Sequence, residues 1–136
     1  QSRQDINMEE YAKIIHIEAL TLIDMLGKLI VPACAAYSRQ LAEGVAAKAG
    51  IGVDAPAEAA QDRLLTEKTA ELIERTERLK AVVAAEPEAL NARAVYEHEA
   101  VIPAMEAARQ VADELEGRVG KEYWPMPSYA DLLFYV

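Results

Sequence analysis

The sequence has 136 residues, of which 52% are hydrophobic and 27% charged, a balance typical of one soluble globular domain and unlike that of disordered or collagen-like chains. Its net charge of -9 disfavours nucleic acid and anionic membrane surfaces as partners, because their phosphates repel an acidic protein. The most apolar region, residues 14–36, is interrupted by His16, Glu18, Asp24 and Lys28. We therefore expect no membrane span and a cytoplasmic protein.

Three long helices are predicted, because helix-forming residues fill most of the chain and two stretches interrupt them. Two glycines, an aspartate and a proline between Ala49 and Pro56 indicate a helix end and a loop. Glu86-Pro87 marks the second break, since a residue before proline is disfavoured in the helical conformation. We expect one helical domain over residues 1–136, with helices at 6–49, 57–85 and 88–119 and a docking tail at 120–136.

The spacing of apolar residues predicts an all-α fold, an up-down-up bundle. Leu65, Leu72 and Leu79 recur every seven residues on the second helix, and such a seam faces one partner. The third helix has a seam of alternating four- and three-residue steps. Its members are Ala94, His98, Val101, Met105, Ala108, Ala112, Leu115 and Val119.

The first helix differs, because between residues 14 and 31 its large apolar side chains surround the whole circumference. Such a helix is typically buried on several sides. At about 1.5 Å per residue it extends roughly 25 Å past the second helix. We expect Tyr11, Ile14, Ile15 and Leu22 to lie in this extension and to need a cover from outside the bundle.

Pro32 and Pro103 lie inside predicted helices. Proline removes one backbone hydrogen bond and collides with the carbonyl four residues earlier. Both helices are therefore expected to be kinked, with the two bends side by side in the bundle.

No motif in the sequence indicates a catalytic, nucleotide or metal site. His16 and His98 lie on different helices without ligand spacing around them, and we interpret both as hydrogen-bonded histidines of the core or seam. Glu97, His98 and Glu99 are consecutive, so they diverge by about 100° per residue on a helix and cannot converge on one ion. Cys34 is expected to be a buried small hydrophobic residue. We assign no catalytic, cofactor-binding or metal-binding residue to this chain.

The tail has a different character, because residues 123–136 hold five of the eight aromatic residues of the chain. Prolines at alternate positions favour an extended path after Trp124, and Ser128 with Asp131 resembles a helix-capping box. Aromatic side chains commonly anchor interfaces. A docking role is therefore predicted for Trp124, Pro125, Pro127, Tyr129, Asp131, Leu132, Leu133 and Phe134. The sequence leaves open whether they dock on their own bundle or on a neighbouring domain or subunit.

The tail resembles the C-terminal end of type III glutamine synthetases, which typically finish in Trp-Pro-x-Pro-(Ser/Thr)-Tyr-x-Asp-Leu-Leu-Phe. Residues 124–134 follow this pattern, with Met126 where a phenylalanine is expected and Ala130 where a glycine is expected. Residues 17–48 and 101–116 are similar to two helices of the same family. The sequence is therefore interpreted as the C-terminal domain of such an enzyme, and its start at Gln1 fits a fragment of a larger chain.

The resemblance implies a parent enzyme that joins ammonia to glutamate with ATP and a divalent metal, magnesium or manganese. It implies an upstream catalytic region that holds the active site, and a homo-oligomer, a dodecamer of two stacked hexameric rings. For the domain itself we expect a structural role in assembly, in contact with the catalytic region and neighbouring subunits. The alternative is a free-standing helical module that binds a partner protein.

Overall fold

The computed structural model describes residues 2–126 and shows an all-α fold, with no strand among those residues. The α-helices in this part of the chain are α1 (Ser2–Met25), α2 (Val31–Gly50), α3 (Pro56–Ala84), α4 (Leu90–Tyr96) and α5 (Ile102–Glu116). Two π-helical turns, Leu26–Ile30 and Glu97–Val101, join α1 to α2 and α4 to α5. The chain thus forms three packed rods: α1 with α2, then α3, then α4 with α5.

Each π turn ends two residues before a proline. The N–H of Val31 donates to the carbonyl of Leu26, and that of Ile102 donates to Glu97 in the same way, both spanning five residues. Pro32 and Pro103 follow directly. A wider turn accommodates the carbonyls that a proline ring would otherwise strike. The predicted kinks stay a prediction, whereas the π turns are what the structure shows at these positions.

The core is formed by the predicted seams of α3 and α5. Leu65, Leu72 and Leu79 are almost fully buried, and so are Met105 and Leu115 on the facing helix. Two polar links join the same helices. The Arg75 guanidinium donates to the Ala107 carbonyl at 2.9 Å, and the Lys68 ammonium lies 2.7 Å from a Glu114 oxygen.

The seam prediction was wrong at one position, since His98 is exposed and Glu97 is fully buried. The second π turn gives the reason. A π turn holds about one residue more than an α turn, which shifts every preceding side chain around the axis. The residue that faces inward before the buried Val101 is therefore Glu97, four residues earlier, and not His98, three residues earlier.

The first rod also departs from expectation. Ile15 and Leu22 are buried in the core cluster, and α1 packs against α4, so these two residues do not extend beyond the bundle. Tyr11, Ile14 and Ile17 are exposed instead. Within residues 2–126, α1 is therefore covered on one side only.

Two loops separate the three rods in the described part of the chain. Gly52 has φ +78°, in the left-handed region that favours glycine, and it turns the chain between α2 and α3. Residues 85–89, with Glu86-Pro87, separate α3 from α4. Among the described helices, none combines the length and the apolar character that crossing a membrane requires.

The beginning of the tail lies against α2. The rings of Tyr37 and Tyr123 have centroids 5.4 Å apart, and Trp124 is half-buried beside the core. A Cβ atom at Gly120 would lie 2.9 Å from the Tyr37 ring. The chain leaving α5 thus passes close to α2 before its described part ends at Met126.

Candidate functional site

Four segments of the chain bring four polar or charged side chains together, and we call these residues the buried cluster: His16, Glu86, Arg93 and Glu97. His16 comes from α1, Glu86 from the connection after α3, Arg93 from α4 and Glu97 from the second π turn. His16 Nδ1 lies 2.9 Å from Glu86 Oε2, which is hydrogen-bond distance. Arg93 lies 3.5 Å from the same oxygen and 3.9 Å from Glu97 Oε2.

The cluster is short of hydrogen bonds. Glu97 is 0% exposed, and neither of its carboxylate oxygens has a hydrogen-bond partner within the described part of the chain. The same holds for Glu86 Oε1 and Arg93 Nε. Buried polar atoms are normally paired, because each unpaired one costs on the order of 1–3 kcal/mol. Such a group is typical of a strained or functional site.

The electrostatics favour a neutral Glu97. Burial, the largest cause, and the neighbouring Glu86 carboxyl together raise the pKa of the Glu97 carboxyl to about 7, against the opposing effect of the Arg93 guanidinium. Two carboxylates close together in a poorly solvated place cannot both ionise without cost. In the folded chain, the pair therefore retains a proton at pH values where exposed glutamates have lost it.

Three of the four residues in the cluster are of types that can bind a metal ion. His16, Glu86 and Glu97 each direct one ligand atom to a common region, and these atoms lie within 4.8 Å of one another. Imidazole nitrogen and carboxylate oxygen are ligands of zinc and related divalent ions. In sequence, the three residues are separated by 70 and 11 positions, so the arrangement exists only in the fold.

The other residues considered from sequence occupy different places. Cys34 is fully buried, as predicted, and burial raises the pKa of its thiol, which disfavours the reactive thiolate. His98 lies outside the cluster, on the exposed side of the π turn.

Two of the predicted docking residues fall within the described part of the chain. Trp124 is half-buried and Pro125 is exposed. The other six lie outside the described residues, and their role stays a prediction. They are Pro127, Tyr129, Asp131, Leu132, Leu133 and Phe134.

Sequence reasoning missed Glu86 and Glu97. The sequence indicates a helix break at Glu86 and gives no reason to place its side chain in a site. Glu97 was excluded as a metal ligand because its neighbours His98 and Glu99 cannot converge on the same ion. The one usable signal was Pro103, because a π turn before a proline moves the inward position from residue 98 to residue 97. That signal identifies one member of the cluster and not its partners.

Comparison with known proteins shows which proteins the chain is similar to. Residues 1–49 match the glutamine synthetase C-terminal domain family. The chain is 32% identical to a type-3 glutamine synthetase from Dictyostelium discoideum, over 98% of this chain and 19% of that protein. It is 30% identical to a glutamine synthetase from Butyrivibrio fibrisolvens, over 98% of this chain and 20% of that one.

A glutamine synthetase from Bacteroides fragilis is 29% identical, over 97% of this chain and 19% of its own length. The chain thus spans about a fifth of the length of the relatives it matches.

Proposed function

The chain belongs to the glutamine synthetase C-terminal domain family, and from this we propose that it is the helical end of an ATP-dependent glutamate–ammonia ligase with a structural role in assembly. The catalytic region of the parent lies upstream, and the domain contacts that region and neighbouring subunits of a homo-oligomer. A cytoplasmic location is part of the same proposal.

The observation that carries the assembly role is the uncovered side of α1. Ile14 and Ile17 are 54% and 55% exposed, and Tyr11 and Leu20 are exposed to a similar degree. We call these four residues the α1 face. Contiguous large apolar side chains on a surface mark interaction sites. The chain spans about a fifth of its relatives, so the remaining four-fifths of the parent offers a natural cover.

ATP and the magnesium or manganese of the reaction are assigned to the parent and not to this domain. The groove of about 270 Å³ along α1 carries one basic side chain, Arg109, beside Glu18. A triphosphate needs several donors or a glycine-rich cradle, so this groove does not suit it. When bound in the catalytic region, ATP and the metal supply the activation of glutamate, and the residues of this chain take no step in that chemistry.

The test places a charge on the α1 face of the full-length enzyme. The double substitution Ile14→Glu and Ile17→Glu buries two carboxylates wherever this face is covered, which costs several kcal/mol. We expect smaller particles in size-exclusion chromatography with light scattering, together with reduced glutamine formation. Truncation after Gly120 tests the tail in the same assay, with the same expected result.

Ile51→Glu is the matched control, because Ile51 is 78% exposed in the loop after α2 and a charge there remains in water. It should leave particle size and activity unchanged. Normal assembly and activity in both the double variant and the truncated enzyme would refute the assembly role. That outcome would favour a helical module that binds some other protein.

A further inference from the structure

The geometry points to a divalent transition-metal site in the buried cluster, with His16, Glu86 and Glu97 as ligands to an ion of the zinc class. The proposal rests on different observations from those of the assembly role, since none of these residues belongs to the α1 face.

The first argument is the unpaired carboxylate. Glu97 is fully buried, and both of its oxygens are without a hydrogen-bond partner among the described residues. An inaccessible carboxylate of this kind needs a proton, a hydrogen-bond donor or a cation. Glu86 Oε1 lacks a partner as well, so one ion between the two carboxylates would satisfy both.

The second argument is the distance between the ligand atoms. Tetrahedral zinc holds nitrogen and oxygen ligands at about 2.0–2.2 Å, which separates neighbouring ligand atoms by about 3.3 Å. The three atoms lie within 4.8 Å of one another, and the His16 and Glu86 atoms are already 2.9 Å apart. Side-chain rotations that move the outermost atom by about 1.5 Å complete the set.

The third argument is access. The His16 side chain is 34% exposed, whereas that of Glu86 is 8% exposed. An ion can therefore reach the cluster along the imidazole, and a water molecule can fill the fourth position as in zinc sites with three protein ligands. One nitrogen and two oxygens favour zinc over magnesium, which prefers oxygen ligands and retains its waters.

The positive charge of Arg93 should weaken the binding of a cation to the cluster, which gives a second way to test the site. Its guanidinium lies 3.5 Å and 3.9 Å from the oxygens of the two glutamates, which is ion-pair distance without close hydrogen bonds. A bound divalent ion competes with this charge for the same carboxylates. Removal of the charge in Arg93→Gln should therefore tighten zinc binding by about tenfold.

The experiment uses the 136-residue chain, stripped with EDTA and dialysed. Zinc chloride is titrated by calorimetry, and thermal unfolding is followed by circular dichroism with zinc or magnesium chloride. We expect one zinc ion per chain and a rise in Tm of about 5–10 °C at one hundred times the dissociation constant. Magnesium should give no rise.

Glu97→Gln and His16→Gln should each abolish the rise in Tm with zinc, and Arg93→Gln should increase it at equal zinc concentration. His98→Gln is the matched control, since it removes an exposed histidine next to the site, and its zinc response should equal that of the parent chain. The proposal is overturned if zinc up to about 100 µM leaves Tm unchanged, or if the Glu97 and His16 variants retain the response. Unchanged or weaker binding in Arg93→Gln would likewise place the ion elsewhere.

Discussion

Replacement of Glu97 by glutamine should stabilise the metal-free chain at alkaline pH and not at acidic pH. Glutamine mimics the protonated carboxyl in size and polarity, and it does not ionise. The folded pKa of Glu97 is about 7 against an ordinary value of 4.5. Between these pH values the folded chain holds a proton that the unfolded chain has released, so stability falls as pH rises. The full difference corresponds to about 3 kcal/mol.

Among the described residues, three charged or titratable groups lie near Glu97, and their charges determine how far its pKa is raised. Glu86 lies beside it on the connection after α3, His16 reaches the pair from α1, and Arg93 approaches from α4. Glu86 raises the pKa of Glu97, and Arg93 lowers it. Since the ionisation of each glutamate changes the pKa of the other, the transition belongs to the pair.

The measurement is urea unfolding in EDTA at pH 4.5, 6 and 8 for the parent chain and for Glu97→Gln. The free energy of unfolding of the variant minus that of the parent should grow by about 3 kcal/mol from the lowest to the highest pH. Glu99→Gln is the control, because Glu99 is exposed on the same π turn, and its difference from the parent should stay flat. A flat difference for Glu97→Gln as well would refute a buried, proton-retaining carboxyl.

Three further substitutions test the packing by urea unfolding at pH 7. Leu115→Ala removes a fully buried side chain and should cost about 3–5 kcal/mol; a loss under 1 kcal/mol would contradict the α3–α5 core. Gly44→Ala lies within α2 with no neighbouring atom within 4 Å of the new Cβ, so helix propensity should add about 0.5–1 kcal/mol. Gly120→Ala places a Cβ 2.9 Å from the Tyr37 ring and should cost about 1–2 kcal/mol. A neutral result there would mean that the chain after α5 does not pack against Tyr37.

The helical architecture and most of the core could be predicted because they depend on local pattern. Leu65, Leu72 and Leu79 repeat with the period of a helix, and burial of one helix side follows from that period alone. The breaks between the rods also depend on local sequence, since Gly52 and Pro87 determine the backbone conformation at and next to their own positions. These features require no knowledge of which segments meet.

The π turns could not be derived from the same pattern. A proline inside a helix permits a kink, a break or a wider turn, and the choice depends on what packs against that helix. The wider turn before Pro103 changes the side of the helix on which each preceding residue lies. For this reason the sequence favoured His98 as an inward residue, whereas the structure buries Glu97.

The buried cluster and the α1 face are linked through the position of α1. The apolar core could have filled the place of Glu97, because a leucine there would need neither a proton nor a partner. The fold instead retains a carboxylate whose ionisation costs about 3 kcal/mol, a large part of the 5–15 kcal/mol that stabilises a typical domain. Among the described side chains of α1, His16 is the one that contacts this carboxylate pair, and it lies in sequence between Ile14 and Ile17 of the α1 face. A cation or proton held at the cluster therefore fixes α1 against α4, and with it the orientation of the surface that we propose meets the rest of the enzyme.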